Sequence, residues 1–470
     1  MEQSAQVISV AVTHPNSHSD APKIEAIELV AGPTSGKGSL KTSKLQLNQT
    51  TLAFFLMGIL VGLPTMPITT AAAQMFEGIT GVYGICLSLT AAISSFAGPM
   101  IARYVPYDVC NIALTLASAL AYVISTLPDP LGNPTGFNKT GPVIGTMLAG
   151  FVYAFGTQNY LSVAAFFPSE AVIALSVGSG LSIILGAGVF IGLMNGAFDN
   201  DWRRCFLVFL PTTILMPFVW YFMFDKKRRT AAELSRKRSL QKPSGSSNSS
   251  DVESNRQANN GEPTDEGSNS TDNDGVRVTR VLRPGFGPNR TRVGMLLKKI
   301  LPQYVLPLII CTTCAIFCLF GIAPTLHTLN RFEGGPKGDL EFQLVFFAYG
   351  SAQFLFSVLV AVKPVPIVWI WTGIEVALTA IALAQLWYPF LNHFWVWWVI
   401  MFMVGGCVGG GVTNTNYRIS QDMQKAGEPD EVRSFANSYA GLGNFGGDAL
   451  GGALGLVIEA VVAKGLKPTP

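Results

Sequence analysis

Charged residues and histidines are scarce in this chain. Asp, Glu, Lys and Arg together make up only 13% of its 470 residues, four residues are His, and the formal net charge is +3. A charge this small, without a dense basic face, argues against a nucleic-acid partner. No zinc-protease histidine pair, nucleophile elbow or set of Ser, His and Asp stands out, so we expect neither an enzyme nor a cofactor.

Cysteines are also too few and too apolar in their surroundings for a disulfide-built protein. All seven lie in or beside apolar stretches, which argues against a secreted disulfide framework. Cys311, Cys314 and Cys318 share one helix face, but the sequence supplies no fourth ligand for a metal ion. We therefore interpret them as small packing residues and predict no metal site.

Long apolar runs dominate the chain instead. Hydrophobic residues make up 49% of it, and eleven runs have the length of about 20 residues that crosses a bilayer core. We therefore predict an all-α membrane protein embedded in lipid, with about 11 transmembrane helices in two bundles of six and five. The predicted spans are 52–74, 81–102, 108–127, 141–166, 171–195, 204–224, 300–326, 341–362, 365–386, 394–416 and 435–462.

Polar segments divide the chain around these runs. We expect a disordered tail at 1–50, with no cleavable signal peptide, then a six-helix bundle at 51–224 and a five-helix bundle at 298–464. Between the bundles, the connector 225–297 is too polar to offset its ordering entropy, so we predict that it is disordered and available to cytosolic partners. A short tail, 465–470, follows.

The basic residues near the helix ends set the orientation. About twice as many lie on the side of the N-terminus as on the opposite side, which places the N-terminus in the cytosol. Asn138 then lies in a non-cytosolic loop, in the sequence Asn-Lys-Thr, and is a candidate for glycosylation.

Two carboxyl groups fall inside predicted spans, Glu375 in the ninth and Asp448 in the last. Ionisable groups are costly in a bilayer and mark functional positions, because apolar surroundings favour the neutral, protonated form. We expect both to take part in a proton or substrate pathway. The alternative is a carboxylate that only bonds to a neighbouring hydroxyl.

Uncharged polar side chains gather in three spans, where they can bind a zwitterionic or polyol solute or hold helices together. The candidates are Thr157, Gln158, Asn159, Asn414, Asn416, Asn437 and Asn444. Glycines also recur every four residues, which favours close helix packing, either static or as surfaces that slide. The glycines in question are Gly188, Gly192, Gly196, Gly443, Gly447, Gly451 and Gly455.

Several segments resemble the battenin family. They are the segment 160–168, then 171–173 and 178–180, and near the C-terminus the blocks 431–436 and 450–455. The resemblance implies a major-facilitator-like protein of lysosomal or vacuolar membranes, associated with organelle pH, basic amino-acid balance and export of glycerophosphodiesters. It also implies no enzymatic activity. The Asp that the family has in its last helix is matched by Asn444, with Asp448 one turn further on.

We therefore expect a carrier that moves a small polar solute, of the basic amino-acid or glycerophosphodiester class, by alternating access. Two alternatives stay open. An equilibrative nucleoside transporter shares eleven helices and a long loop after the sixth, although its Pro-Trp-Asn signature is missing at Pro64-Thr-Met. A membrane scaffold or trafficking regulator would act through the connector and transport nothing.

Overall fold

The structure is a computed structural model that covers most of the apolar part of the chain. It describes residues 49–76, 80–127, 140–224, 229–230, 233, 294, 296–336, 338–428 and 430–465. Regular structure in these residues is helical, apart from one isolated bridge between Glu333 and His393. Most of the predicted tail and connector, and the glycosylation candidate Asn138, lie outside the described residues.

Eleven long helices follow one another along the described chain and are numbered here in that order. They are α1 Gln49–Thr70, α2 Thr80–Tyr104, α3 Tyr107–Thr126, α4 Thr140–Ala164, α5 Glu170–Gly196, α6 Trp202–Met223, α7 Lys298–Thr328, α8 Asp339–Val362, α9 Trp369–Trp387, α10 Phe394–Lys425 and α11 Asp430–Gly465.

Ten of the eleven helices in the described part are long and apolar enough to cross a bilayer, which confirms the predicted all-α membrane fold. The eleventh, α4, has 25 residues, enough for about 38 Å at ~1.5 Å per residue. The polar run Thr157–Tyr160 makes it less apolar than the others. Because most of α4 is buried against other helices, it does not need an apolar surface on every side.

Three helices change their geometry along their length. A turn at Leu63–Pro64 interrupts α1, and a 3₁₀ stretch at Leu210–Ile214 interrupts α6. A π-helical stretch, Leu296–Val305, leads into α7 and forms its first turns, and a second, Cys318–Ile322, lies further along the helix. Wide turns of this kind are rare and concentrate at functional positions.

The helix pairs that pack together in the first half recur in the second half when six is added to each helix number. In the first half, α1 packs along α5 and α2 along α4; in the second half, α7 packs along α11 and α8 along α10. The contacts between the halves obey the same offset, because α2 packs on α11 and α5 packs on α8. The two halves therefore share one packing plan and meet mainly along these two helix pairs.

Close approach at these helix pairs depends on glycine. A Cβ on Gly58 of α1 would lie 2.2 Å from the carbonyl oxygen of Leu175, and one on Gly178 of α5 would lie 2.1 Å from that of Phe55. On α10, a Cβ on Gly409 would lie 2.1 Å from the Gln353 carbonyl oxygen. No side chain fits at such distances, so the backbones themselves are in contact.

The glycine series of α11 lies against α7. A Cβ on Gly447 would lie 2.0 Å from the Thr312 hydroxyl, and one on Gly451 would lie 2.5 Å from the Thr313 carbonyl oxygen. Gly443 and Gly455, at the two ends of the series, also face α7, with the nearest atoms 3.2 Å from a Cβ. The whole series thus faces one neighbouring helix.

The series of α5 is different. Gly188 faces Phe347 of α8, 3.2 Å from a Cβ, but a Cβ on Gly192 or Gly196 would meet no atom within 4 Å. Both glycines are exposed on the outward face of α5, whereas Met194 between them is buried. Within the described residues, Gly192 and Gly196 therefore pack against no neighbouring helix.

Candidate functional site

Among the described residues, two cavities are each lined by several helices from both halves. The first, called here the Asp448 cavity, has a water-accessible volume of about 60 Å³ and is lined from α1, α2, α4 and α5 of one half and α7, α8, α10 and α11 of the other. The second, called the Asn416 cavity, has about 30 Å³ and is lined from α1, α4, α5, α8, α10 and α11. Both therefore lie on the boundary between the halves.

The two cavities share the same four residues where they meet, namely Tyr153 of α4, Gln353 of α8, and Asn444 and Phe445 of α11. The rings of Tyr153 and Phe445 meet edge to face with their centres 5.2 Å apart. The Tyr153 hydroxyl also shares a hydrogen bond of 3.2 Å with that of Ser179 on α5. These four residues, the waist, separate the two cavities.

Asp448 lines the first cavity together with polar side chains such as Thr69, Ser88 and Tyr349. It is half-buried on α11, one helical turn from Asn444. Among the described residues that line either cavity, Asp448 is the one charged side chain. The pathway between the halves thus carries one carboxyl group amid hydroxyls, amides and aromatic rings.

Hydrogen bonds from α7 fix the position of this part of α11. The Thr312 hydroxyl donates to the carbonyl oxygen of Asn444 at 3.1 Å, and that of Thr313 donates to the carbonyl oxygen of Gly447 at 3.1 Å. Gly447 permits this approach, because any larger residue would collide with Thr312. The glycine series therefore positions Asp448 as well as packing the helices.

Glu375 lies away from both cavities. Its side chain on α9 is fully buried, beside the thiol of Cys407 on α10, and Cys311 and Cys318 of α7 are also close. Among the described residues no N–H or O–H group donates to either carboxyl oxygen. An unpaired carboxylate in such surroundings is costly. The cysteines predicted to be packing residues therefore surround a carboxyl group.

The predicted polar residues separate into three groups. Thr157 and Asn416 line the Asn416 cavity, and Asn444 lies in the waist. Asn416 also donates to the Ser176 hydroxyl at 3.2 Å, which links α10 to α5 across the halves. These three therefore lie on the walls of the cavities between the halves.

Gln158 and Asn414 instead hold the backbone of neighbouring segments. Gln158 donates to the carbonyl oxygen of Ser95 on α2 at 3.0 Å. Asn414 clamps Val365, accepting from its N–H at 3.1 Å and donating to its carbonyl oxygen at 3.0 Å. Gln158 and Asn414 are absent from the walls of both cavities, because their side chains form these bonds on a different face of the helix.

Asn159 and Asn437 form the third group. Both are buried, and among the described residues neither amide has a hydrogen-bond partner for its nitrogen or its oxygen. Unmet hydrogen-bonding capacity of this kind costs roughly 1–3 kcal/mol per group. These two amides are therefore available to water, to a solute or to another conformation.

Sequence reasoning overlooked Tyr153 and Gln353. Tyr153 precedes Thr157 by four residues, so the two side chains share one face of α4. This spacing could have identified Tyr153 from the sequence. Gln353 is an isolated amide in the middle of the apolar run of α8. Such isolated polar residues in a span deserve the same scrutiny as charged ones.

A sequence profile of the family described as CLN3 protein matches residues 52–464. The chain belongs to this CLN3, or battenin, family. This battenin-family chain is also 22% identical over 416 residues to Protein BTN1 of Yarrowia lipolytica (strain CLIB 122 / E 150), a match that covers 87% of the chain and 93% of that relative. The family inferred from the sequence motifs is confirmed.

The battenin-family chain also resembles a solved transporter in its fold. The structure of the MFS (major facilitator superfamily) proton:xylose symporter XylE bound to 6-bromo-6-deoxy-D-glucose aligns with a TM-score of 0.52, over 88% of this chain and 95% of the other. Sequence identity is 13%, so the match shows the fold alone. The major-facilitator-like architecture is confirmed.

Two of the segments that carry the battenin resemblance meet in the structure. The segment 160–168, at the end of α4, contacts the segment 431–436, at the start of α11, through Ser162 and Ser434 and through Ala165 and Arg433. These segments are far apart in sequence and belong to different halves. The family motif therefore covers a contact between the halves.

Proposed function

We propose that this battenin-family protein is a carrier that moves a small cationic solute, of the basic amino-acid class, by alternating access between its halves. It works in the membrane of a lysosome- or vacuole-like compartment and contributes to the pH balance of that compartment. The fold and the family support a membrane transporter. The charge of the central pathway supports the solute class.

The observation that carries this proposal is the position of Asp448. Its carboxyl group is the one charged group on the described walls of the two cavities, which contain no Lys or Arg. A phosphodiester would need cationic donors, because phosphate is bound through Arg and Lys. An ammonium or guanidinium group would find an opposite charge at Asp448. Of the two solute classes that the sequence suggests, the basic amino acid fits these walls.

Aromatic rings around the waist support the same choice. Tyr153 and Phe445 face the cavities from the two halves, and Tyr349 lines the Asp448 cavity. Cations interact favourably with aromatic faces, by roughly 0.5–2 kcal/mol. The amide groups of Asn444 and Gln353 can bind the carboxylate and amine of an amino acid through paired donors and acceptors.

Cavity size supports a moving carrier rather than an open channel. Volumes of about 60 Å³ and 30 Å³ hold a few water molecules, each of which takes about 30 Å³ in the liquid. An amino acid is larger, so the halves must separate to admit it. Because the cavities meet only at the waist, this structure corresponds to a closed state in an alternating-access cycle.

We assign proton uptake to Asp448 and Glu375. Asp448 lies where the solute would bind, so a proton and a cation compete for it. Glu375 is buried among thiols without a conventional donor, and a proton relieves the cost of its charge. Movement of protons with the solute would connect transport to the pH of the compartment.

Counterflow in proteoliposomes tests the solute class. The full-length protein is reconstituted with internal lysine, and uptake of labelled lysine is measured with arginine or glycerophosphocholine as competitor. We expect uptake, competition by arginine and none by glycerophosphocholine. Asp448→Asn should reduce uptake at least tenfold, whereas the control Glu333→Gln, an exposed carboxyl outside the cavities, should leave it unchanged. Competition by glycerophosphocholine alone would overturn the solute class.

Comparison of purified acidic organelles with and without the protein tests the compartment. We expect basic amino acids to change in amount and the internal pH to shift when the protein is absent. Orientation is tested through Asn138. With the N-terminus in the cytosol, Asn138→Gln should increase electrophoretic mobility and abolish sensitivity to a glycosidase. Equal mobility of the two proteins would contradict the proposed orientation.

A further inference from the structure

The two ends of α11 carry opposite charges that each bond to the end of a helix in the other half. Near its amino end, the guanidinium of Arg433 donates to the carbonyl oxygen of Ala165, just past α4, at 2.7 Å. Near its carboxyl end, the carboxylate of Glu459 accepts from the backbone N–H of Gly81, the second residue of α2, at 3.1 Å.

Each charge suits the helix end that it contacts. The last carbonyl groups of a helix carry a partial negative charge and the first N–H groups a partial positive charge, and both lack partners within the helix. Arg433 therefore stabilises the end of α4, and Glu459 stabilises the start of α2. Within α11 itself, a cation in the first turn opposes the helix dipole. The position of Arg433 is thus explained by α4 and not by its own helix.

The two contacts lie on opposite sides of the membrane. Arg433 and Glu459 are separated by 26 residues of continuous helix, or about 39 Å at ~1.5 Å per residue. That distance exceeds the ~30 Å thickness of the hydrocarbon core. Asn444, Phe445 and Asp448 lie between them on α11. The α11 residues that line the cavities therefore lie between these two contacts along the helix.

Neighbouring contacts reinforce the Arg433 end. The hydroxyls of Ser162 and Ser434 share a hydrogen bond of 2.6 Å, again between α4 and α11. The unpartnered amide Asn159 lies three residues before Ser162 on α4, and the unpartnered amide Asn437 lies three residues after Ser434 on α11. Each amide is therefore on the same helix face as its serine, one turn deeper in the membrane. When this end opens, those amides gain access to water and solute. Opening therefore relieves part of the cost of the contacts it breaks.

Geometry at the Glu459 end depends on glycine. A Cβ on Gly81 would lie 2.5 Å from the Glu459 carboxylate oxygen and 3.1 Å from the Cα of Leu456. The absence of a side chain is what lets the carboxylate reach the N–H group of α2. An alanine at this position would displace the carboxylate from the N–H group of α2 while leaving the charge in place.

We propose that Arg433 with Ala165, and Glu459 with Gly81, are the two latches of the transport cycle, and that each must open in turn to expose the cavities to one side. This inference rests on the alternating-access part of the proposed function. Both latches are closed in this structure, in agreement with its small cavities. The occluded state is therefore held by two charge–helix contacts at the ends of a single helix.

Backbone hydrogen exchange on the full-length protein in lipid nanodiscs, without solute, tests the latches. Glu459→Ala should speed exchange at the start of α2 at least fivefold and leave the end of α4 unchanged. Arg433→Gln should speed exchange at the end of α4 at least fivefold and leave the start of α2 unchanged. Exposed charges of the same sign outside the latches serve as controls, and Glu333→Gln and Lys363→Gln should leave both regions as in the parent protein.

Gly81→Ala provides a second test at the Glu459 end if Glu459→Ala does not fold. It should speed exchange at the start of α2, as Glu459→Ala does. Unchanged exchange in the variants, or equal loosening of both ends by each, would overturn the latches. Because no solute is used, the result of the exchange experiment is independent of the lysine assay. If each variant loosens only its own end of α11 and the protein takes up no lysine, the latches are supported and the solute class is refuted.

Discussion

Tyr153 and Phe445 close the pathway from opposite halves, with their rings edge to face and their centres 5.2 Å apart. The Asp448 cavity lies on one side of this contact and the Asn416 cavity on the other. Because Tyr153 is also bonded to Ser179 of α5, its ring is held from the first half. Phe445 lies on α11, the helix that contacts both ends of the other half. A barrier within the pathway therefore depends on two aromatic rings.

Truncating one ring should join the two cavities. Phe445→Ala removes the α11 side of the waist, and we expect lysine to leave preloaded proteoliposomes faster than it does with the parent protein. Aromatic pairs contribute about 0.5–1.5 kcal/mol beyond their buried area, so the melting temperature should also fall. Efflux from preloaded vesicles measures the leak. Phe445→Leu, which keeps an apolar side chain, should leak less than Phe445→Ala.

Glycine at the α8–α10 contact should be indispensable for stability. Gly409→Ala places a methyl group 2.1 Å from the Gln353 carbonyl oxygen, a backbone atom that cannot move away alone. Overpacking of this kind costs roughly 1–3 kcal/mol or more. We expect a clear drop in the thermal midpoint of the protein in detergent.

The matched control for Gly409 is a glycine without neighbours. Gly192→Ala and Gly373→Ala add a methyl group where no atom lies within 4 Å. Alanine is about 1 kcal/mol better than glycine inside a helix, so both should equal or exceed the parent protein in stability. A loss at Gly192 as large as that at Gly409 would contradict the packing described here.

Asn414 and Asn416 should respond differently to the same substitution. Asn414→Ala breaks both bonds to Val365. The Val365 carbonyl keeps its bond from Arg418, but the partly buried N–H loses its partner, at a cost of roughly 1–3 kcal/mol. We expect lower stability with an unchanged KM for lysine. Asn416→Ala changes the wall of a cavity and should raise KM with little loss of stability. Thermal unfolding and uptake kinetics of the two variants distinguish these outcomes.

Removing most of the connector should preserve transport. Deletion of 235–290 spares Arg229, which lies 3.6 Å from the Asp108 carboxylate, and Glu233, which accepts from the Tyr107 N–H at 2.8 Å. These contacts attach the start of the connector to the first half, so we expect lysine uptake within twofold of the parent protein. Uptake by reconstituted protein provides the measurement. If neither protein takes up lysine and the deletion abolishes the cellular effect, the result would instead favour a scaffold that acts through the connector.

The sequence was sufficient for the helices because their signal is local. A run of about 20 apolar residues requires no knowledge of its neighbours, and the predicted spans agree with the observed helices to within several residues at most ends. Gly447 and its series could also be assigned to a helix interface from spacing alone. Spacing alone could not show that Gly192 has no neighbour, because the same spacing continues onto the exposed face of α5.

The site needed the tertiary arrangement. Asn414 and Asn416 are two residues apart, which turns their side chains about 200° from each other around a helix of 3.6 residues per turn. One therefore clamps Val365 and the other lines a cavity, although the sequence offered no reason to separate them. Likewise Glu375 and Asp448 are both carboxyl groups in apolar runs, and only the packing of α9 and α11 places one among thiols and the other between the halves.

The π-helical stretch Cys318–Ile322 has a consequence for anyone choosing substitutions in α7. Each such stretch admits an additional residue without breaking the helix, so directions drawn on an ordinary helical wheel become wrong by about 100° once the stretch is passed. Positions in Leu306–Phe317 and in Ala323–Thr328 therefore require separate wheels. A scan that treated α7 as one regular rod would assign lipid-facing positions to the protein interior, and interior positions to lipid.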